Sequence, residues 1–408
     1  MFEIKRGDGL VMLSLIRGGQ VYTPVKVGEM DILLGGKEIL AMGQGLQVPN
    51  GLETEITDAT GMTVVPGYID SHMHLLGGGG SYGPDSRSHE VDISTLAKAG
   101  ITTVVGTMGI NTVSLSLQQL LTVTQALEAQ GITTLMYTGG YQLPAVTITD
   151  SVTSDLALIE KIIGVKIALF DTLGSHPSKE ALKELASKVW LGGRLGGKAG
   201  VIHAHLGETQ GNIKEIADML LYMGLPPSML VTTHVNRSDK VLQMSIEGGL
   251  AGVSLDITAL YTPDYGLPET IPPSQALKAL LKAGIPLHSL TMSSDGNAAQ
   301  PIKNEKGELE RIMLSPANAV AVEITKAVTR DSVNLEDILP LVTCNAAKRL
   351  RIESKTGSLE VGKNADIVLL DRNMEVDTVF AKGRMILKKK TPLVIGYYEK
   401  DYASIAVK

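Results

Sequence analysis

The chain has 408 residues, of which 44% are hydrophobic, and its formal net charge at pH 7 is −6. This length and apolar content exclude a small stapled scaffold and predict a large core, in two or three domains or in one large barrel with an accessory domain. The negative charge disfavours a nucleic-acid partner or an anionic membrane surface and favours a small-molecule substrate.

Cysteine content and apolar runs narrow the class of protein further. Cys344 is the only cysteine, so internal disulfides and thiolate metal sites are excluded. The apolar runs, such as residues 10–16, are short, and the N-terminus carries Lys5, Arg6 and Asp8. We therefore expect no signal peptide, no membrane span and a cytoplasmic protein.

Short alternating runs broken by Gly and Pro fill residues 1–61 and predict strands at residues 11–16, 30–34 and 38–42. From residue 62 to residue 349, β-branched runs alternate with helical patterns, which is typical of βα units around a parallel sheet. The predicted strands are residues 64–74, 102–106, 132–137, 165–169, 201–205, 230–234, 253–257 and 287–294. Predicted helices include residues 115–128, 178–189, 212–222 and 275–282.

The C-terminal part returns to strand patterns. Residues 357–371 predict a turn and a strand, and residues 376–387 predict a hairpin around Lys382 and Gly383. The predicted fold class is therefore α/β: a (β/α)₈ TIM-like barrel over residues 62–349, with a small β-sandwich domain formed from both chain termini, residues 1–61 and 350–408.

His72 and His74 end the first predicted barrel strand, between Pro66-Gly67 and the glycine run 77–80. Residues i and i+2 of a strand share a face, so the two imidazoles converge on one point that suits a metal ion such as zinc. A His-x-His pair also occurs by chance. The pair therefore needs further ligands elsewhere in the chain.

Ligand-type residues recur at later strand ends, where a barrel of this kind builds its active site. These residues are Lys166 in the fourth strand, His205 and His234 at the ends of the fifth and sixth, and Asp295 after the eighth. His203 is expected to be a hydrogen-bonded core residue. His89, His176 and His288 are expected to have surface or structural roles.

Lys166 lies in an apolar strand, where a free ammonium is costly unless it is paired. Carboxylation of the amine by carbon dioxide would turn it into an anion that bridges two metals. Alternatively, the ammonium reaches the strand end and meets a carboxylate such as Asp171. Spacing alone leaves both interpretations open.

Several stretches together resemble the amidohydrolase superfamily, and in particular its isoaspartyl dipeptidases. They are residues 66–80, 164–166, 195–200, 233–237 and 293–297. The resemblance implies a metal-bearing barrel, a β-sandwich from both chain ends, a homo-oligomer and hydrolysis of a C–N bond in a small-molecule or dipeptide substrate.

By this resemblance, two Zn²⁺ or other divalent ions bind each chain. One is held by His72, His74 and Asp295, the other by His205 and His234, and carboxylated Lys166 bridges them. The metals would lower the pKa of a bridging water and polarise the scissile carbonyl. Asp295 would shuttle the proton to the leaving amine, and Tyr141 would stabilise the oxyanion.

The resemblance also implies substrate contacts. Arg237 matches an arginine that grips a substrate carboxylate, and Gly79 and Tyr141 match further contacts. This chain departs from the family at four substrate positions, which carry Ser81 in place of an acid, Leu173 in place of an arginine, Ile110 in place of a polar residue and Ala299 in place of a serine.

Two substrate classes and one further class of protein therefore stay open. The first is a β-aspartyl dipeptide, with Arg87 or Asn297 supplying the missing contacts. The second is a less charged amide, such as an N-acyl amino acid or a cyclic amide. A non-catalytic barrel scaffold is disfavoured, because a scaffold has no need for a buried lysine beside four imidazoles.

Overall fold

The computed structural model describes residues 13–48, 51–304 and 306–399. Residues 1–12, 49–50 and 400–408 of the predicted small domain, and with them the start of the predicted strand 11–16, lie outside this description. The described N-terminal strands are β1 Leu13–Tyr22, β2 Lys26–Gly35, β3 Glu38–Gly43, β4 Thr54–Asp58 and β5 Thr63–Pro66. β1 pairs antiparallel with β2 and parallel with β4 and β5.

Eight parallel strands follow, paired in chain order. They are β6 Tyr68–Met73, β7 Ile101–Gly106, β8 Thr133–Gly139, β9 Ile162–Leu169, β10 Val201–Leu206, β11 Leu230–Thr233, β12 Ser254–Thr258 and β13 Leu290–Ser293. A bridge between Met73 and Gly296 brings the first strand beside the segment after the last. The predicted (β/α)₈ barrel is confirmed.

Helices connect the barrel strands and follow the last one. They are α1 Ile93–Lys98, α2 Leu117–Ala129, α3 Val152–Leu158, α4 Lys179–Gly196, α5 Ile213–Tyr222, α6 Asp239–Leu250, α7 Pro273–Lys282, α8 Ala319–Thr329, α9 Leu335–Ile338 and α10 Cys344–Leu350. Side-chain caps fix several starts: Ser116 forms a capping box with Gln119, and Ser178 and Ser238 cap α4 and α6. None of the described helices is long and apolar enough to cross a membrane.

The remaining strands are the hairpin β14 Ala299–Lys303 and β15 Leu309–Leu314, then β16 Ile367–Leu370, β17 Val376–Ala381, β18 Arg384–Lys388 and β19 Thr391–Pro392. The predicted hairpin at residues 376–387 is confirmed, since β17 and β18 pair antiparallel. β16 pairs with β5, so strands from both chain ends form one nine-stranded sheet. The domain limits given above stay a prediction.

The first predicted barrel strand, residues 64–74, was wrong in its extent. It is divided at Gly67: β5 belongs to the nine-stranded sheet and β6 to the barrel. Pro66 has no N–H to donate, and a Cβ on Gly67 would lie 2.2 Å from the Thr102 hydroxyl. The chain therefore passes from one sheet to the other at a close backbone approach that only glycine allows.

Candidate functional site

The six side chains predicted as metal ligands come together at the carboxyl ends of five barrel strands. His72 lies in β6 and His74 directly after it, Lys166 in β9, His205 in β10, His234 after β11, and Asp295 two residues beyond β13. All six residues are buried. The ring centres of His72 and His234 are 5.3 Å apart, and those of His205 and His234 are 4.5 Å apart.

Backbone turns and buried hydrogen bonds hold this arrangement. His234 and Asp295 have φ angles of 72° and 52°, in the left-handed region that non-glycine residues adopt only at a cost. Asp70 accepts hydrogen bonds from the backbone N–H of His72 and of Ser294, which ties the first strand to the last. Burial raises the pKa of this Asp70 carboxyl to about 7. Sequence reasoning did not single out Asp70.

The imidazoles of His72, His205 and His234 are held in the neutral form that metal ligation requires. Burial lowers the pKa of His72 and of His234 well below the usual range and lowers the pKa of His205 to about 3. His234 Nδ1 lies 2.8 Å from the Thr258 hydroxyl, and His72 Nδ1 lies 3.4 Å from the Thr233 hydroxyl. In both residues Nε2 is therefore the nitrogen turned away from the hydroxyl.

The donor set fits a divalent cation. Asp295 Oδ1 is 3.5 Å from His72 Nε2 and 3.2 Å from His74 Nε2. This carboxylate oxygen is buried and has no hydrogen-bond partner among the described residues. The same is true of the ring nitrogen His74 Nδ1. His72, His234 and Asp295 each offer a ligand atom within 4.8 Å of the others. Imidazole and carboxylate donors at such spacing suit zinc and similar ions.

Lys166 is fully buried, and its Nζ lies 3.0 Å from His72 Nε2. Burial lowers the pKa of the Lys166 amine to about 7. The alternative pairing with Asp171 is not seen, because the Asp171 side chain contacts His205 and the backbone N–H of Leu173 instead. The amine thus lies among imidazoles.

A cavity of about 170 Å³ opens beside these residues and contains every predicted substrate contact. Gly79, Ser81, Tyr141 and Arg237 line it, together with Ile110, Leu173 and Ala299 at the positions that depart from the family. Among the described lining residues, Arg237 alone carries a basic Lys or Arg side chain. Leu173, which stands where the family has an arginine, is 49% exposed. The wall is therefore less charged than the resemblance implies.

Two aromatic residues position polar groups in this cavity. The Tyr141 hydroxyl lies 2.8 Å from His205 Nδ1, and burial raises the pKa of Tyr141 well above its usual value. The guanidinium of Arg237 donates to the Tyr261 hydroxyl and lies 5.2 Å from the centre of its ring. Tyr261, which sequence reasoning missed, thus holds Arg237 in place.

Gln300 is a further residue that the sequence did not reveal. It lies in β14, lines the cavity, and donates from Nε2 to Asp295 Oδ2 at 2.9 Å. The two oxygens of Asp295 therefore have different neighbours, imidazoles on one side and an amide on the other. No spacing in the sequence links Gln300 to Asp295 in this way, because the hairpin geometry decides the contact.

Arg87 and Asn297, the two residues considered as replacements for the missing substrate contacts, differ in position. Asn297 donates to the backbone carbonyls of His74 and His89, so its amide nitrogen is already used. Arg87 lines a neighbouring cavity of about 690 Å³ that shares Ala299 with the first. Only Arg87 remains available to a substrate.

A second group of possible ligands, His72, His203 and Asp256, lies deeper in the barrel. Asp256 already accepts hydrogen bonds from Thr233, Thr291 and Ser293, which identifies it as a structural carboxylate. His203 is fully buried as predicted, but the hydrogen bonds expected for it are absent among the described residues. Its ring instead stacks on Tyr137, with centres 4.8 Å apart.

Comparisons with known proteins place the chain beside hydrolases in sequence and in structure. A family model described as the amidohydrolase family matches residues 270–386. The structure is similar to β-aspartyl dipeptidase from Fervidobacterium islandicum AW-1, solved in complex with the β-Asp-Leu dipeptide. That similarity has a TM-score of 0.85 and 30% sequence identity, over 95% of this chain and 100% of that one.

Curated sequences give shorter or weaker similarities. A dihydroorotase from Staphylococcus aureus (strain MRSA252) is 35% identical over 92 residues, which is 22% of this chain and 20% of the dihydroorotase. The match thus spans about a fifth of that relative's length. An imidazolonepropionase from Pseudomonas fluorescens is 24% identical over 405 residues, 89% of this chain and 92% of that protein.

Proposed function

The chain belongs to the amidohydrolase superfamily of C–N bond hydrolases, and from this premise we propose that it is a metal-dependent amide hydrolase that cleaves the isopeptide bond of β-aspartyl dipeptides. The observation that carries the proposal is the buried convergence of four imidazoles, one amine and one carboxylate at five strand ends. Such a cluster is expensive to bury unless it binds a charged group.

We propose that His72, His74 and Asp295 hold one divalent ion and that His205 and His234 hold a second. Lys166 would bridge them after its amine nitrogen has attacked carbon dioxide and lost a proton, which gives a carbamate. When bound, the metals would supply an activated water and polarise the scissile carbonyl. Zinc suits these donors, although other divalent ions fit them as well.

The chain's own residues would move the proton and stabilise the developing charge. Asp295 would accept a proton from the attacking water and deliver it to the amine as the C–N bond breaks. Gln300 would hold Oδ2 of this carboxylate during both transfers. The Tyr141 hydroxyl, which lines the cavity beside His205, would donate to the oxyanion of the tetrahedral intermediate.

Substrate recognition would depend on Arg237. Its planar fork suits a carboxylate, and Tyr261 holds it in one orientation. The β-aspartyl assignment is supported by the likeness to the Fervidobacterium β-aspartyl dipeptidase over nearly the whole chain. Arg87, in the adjoining cavity, would bind the second carboxylate of such a substrate.

A less charged amide, such as an N-acyl amino acid, is the second candidate. It is favoured by the cavity wall, where Ile110, Leu173 and Ala299 present apolar groups and Ser81 offers no charge to a substrate ammonium. An acyl chain would pack against these apolar groups, and one carboxylate would suffice for Arg237.

A substrate panel with the zinc-loaded protein distinguishes the two candidates. It contains β-aspartyl dipeptides, α-linked dipeptides, N-acyl amino acids and hydantoin-like rings. We expect turnover of β-Asp-Leu and little turnover of α-Asp-Leu. Clear hydrolysis of an acyl amino acid with none of β-Asp-Leu would exclude the first candidate in favour of the second.

We also infer a homo-oligomer, which analytical ultracentrifugation tests.

A further inference from the structure

Asp171, at the edge of the catalytic cavity, contacts His205 and its own loop. Oδ2 lies 3.0 Å from His205 Nε2, and Oδ1 accepts a hydrogen bond of 2.7 Å from the backbone N–H of Leu173. The side chain is 13% exposed. Because both oxygens are engaged, Asp171 is placed to act on His205 and not to bind a substrate ammonium.

We propose that Asp171 is a positioning residue that selects the tautomer of His205. An ionised carboxylate only accepts hydrogen bonds, so Nε2 of His205 must carry the proton and Nδ1 must keep its lone pair. The lone pair on Nδ1 is then the one available to a divalent metal. The inference rests on the proposed function, since it concerns a ligand of the proposed metal site.

The neighbours of the ring agree with this tautomer. The Tyr141 hydroxyl lies 2.8 Å from Nδ1 but 3.3 Å from Nε2, and a hydroxyl can donate to an unprotonated Nδ1. Arg237 Nη2 lies 3.5 Å from Nε2, which is the longest of these contacts, and donates to Tyr261 instead. Asp171 is therefore the dominant neighbour of Nε2.

His205 differs in this respect from His72 and His234, whose Nδ1 atoms face hydroxyl groups. Nδ1 of His234 meets the hydroxyl of Thr258, and Nδ1 of His72 meets that of Thr233. A hydroxyl donates or accepts, so it tolerates either tautomer. A carboxylate tolerates only one, so Asp171 would fix the metal-binding nitrogen of His205 before the metal arrives.

The variant Asp171→Asn gives the sharpest test, because it keeps the shape and changes one donor. The amide oxygen still accepts from Leu173, which turns the NH₂ group toward His205 Nε2. Nε2 must then accept, so the proton moves to Nδ1 and blocks the lone pair. We expect zinc affinity at the second site to fall by roughly 10- to 100-fold, measured by competition with a chromophoric chelator.

The tautomer itself is measured on the metal-free proteins after ¹⁵N-histidine labelling. We expect the His205 signals, assigned with a His205→Gln variant, to show a proton on Nε2 in the wild type and on Nδ1 in Asp171→Asn. The control is Gln142→Ala, which removes the 2.6 Å hydrogen bond to the Leu173 carbonyl and loosens the same loop without touching the carboxylate.

Three outcomes contradict the inference: a wild-type proton on Nδ1, unchanged zinc affinity in Asp171→Asn, or an equal loss in Gln142→Ala, which would identify a loop effect. A wild-type protein that binds less than one zinc would instead refute the proposed function. The tautomer measurement on the metal-free chains still decides the role of Asp171 in that case.

Discussion

At the scale of single residues, Lys166 shows how strongly a buried site depends on one chemical group. Its amine has an imidazole as its closest polar neighbour, and no ion pair forms between it and any described carboxylate within 4.0 Å. A dication beside an ammonium is repulsive, whereas a carbamate is an anion that attracts both metals. Lys166 would therefore repel the metals as a free ammonium and attract them once its amine is carboxylated.

Replacing Lys166 with Ala is expected to lower metal affinity by roughly 100-fold or more and to abolish most turnover, because the bridging anion is lost. A short carboxylic acid added to the buffer should restore part of both. Metal content by mass spectrometry and kcat with β-Asp-Leu check this. Lys161→Ala, directly before the same strand, is the control, and normal activity in Lys166→Ala would exclude the carboxylated lysine.

Ser81 is the residue at which the substrate question is decided. Ser81→Glu restores a carboxylate at the exposed cavity edge, where an ion pair is worth up to about 1 kcal/mol. We expect KM for β-Asp-Leu to fall about fivefold, because the α-ammonium gains a partner. KM for an N-acyl amino acid should rise, and Ser81→Gln should change neither. An unchanged KM for β-Asp-Leu would show that the ammonium binds elsewhere.

At the scale of elements, the hairpin β14–β15 connects Asp295, the proposed proton-transfer residue, to the cavity wall. It starts four residues after Asp295 and carries Gln300 back to that carboxylate, while Ala299 faces the cavity. The hairpin therefore supplies both the contact to Asp295 and part of the cavity wall. Its turn is fixed by Asn304, whose side chain accepts from the backbone N–H groups of Lys306 and Glu308.

Gln300→Leu is expected to lower kcat about tenfold, since a hydrogen bond to a charged group contributes about 1.5 to 3 kcal/mol. Metal content should stay at the wild-type level, because Oδ1 of Asp295 is untouched. Steady-state kinetics and metal analysis measure the two effects. Asn304→Ala loosens only the hairpin turn, so an equal loss of kcat there would assign the effect to the hairpin and not to Gln300.

At the scale of the whole molecule, the metals and the barrel should stabilise each other. The proposed ligands come from strands at both ends of the parallel sheet, so an ion between them would connect β6, β9, β10, β11 and β13. The unfolded chain offers no such preformed site. Binding energy for the metals therefore adds to the free energy of unfolding.

Removing the metals with a chelator should lower the melting temperature by several degrees, since zinc at a hundred times its dissociation constant adds about 2.7 kcal/mol. Calorimetry of the metal-free and reloaded protein measures the shift, and magnesium reloading is the control. A scaffold without a metal site would show no shift and less than one metal equivalent per chain.

Much of this molecule could be predicted from sequence because it depends on local patterns. The alternation of apolar runs and amphipathic helices indicated the barrel. Same-face spacing indicated His72 and His74, and their places along the predicted strands indicated Lys166, His205, His234 and Asp295. These signals are periodic and short-range, so each can be detected without knowing what packs against it. The division of the first strand at Gly67 escaped this reasoning, because it depends on which sheet accepts the backbone hydrogen bonds.

Only the tertiary structure decided which groups meet around those side chains. Asp171 and Tyr261 lie far in sequence from His205 and Arg237, the residues they contact. Gln300 is near Asp295 in sequence but reaches it only through the hairpin, and Asp70 joins His72 to Ser294 only because the first and last strands meet. The pairing of Asp171 with His205, and not with Lys166, follows from the directions of two neighbouring strand ends. Thus the sequence alone determined the fold and the kinds of candidate ligand that it carries, because both depend on local patterns. Packing between segments decided the partners of these side chains, their hydrogen-bonded nitrogens and the polarity of the cavity wall, because these depend on which strands and loops meet.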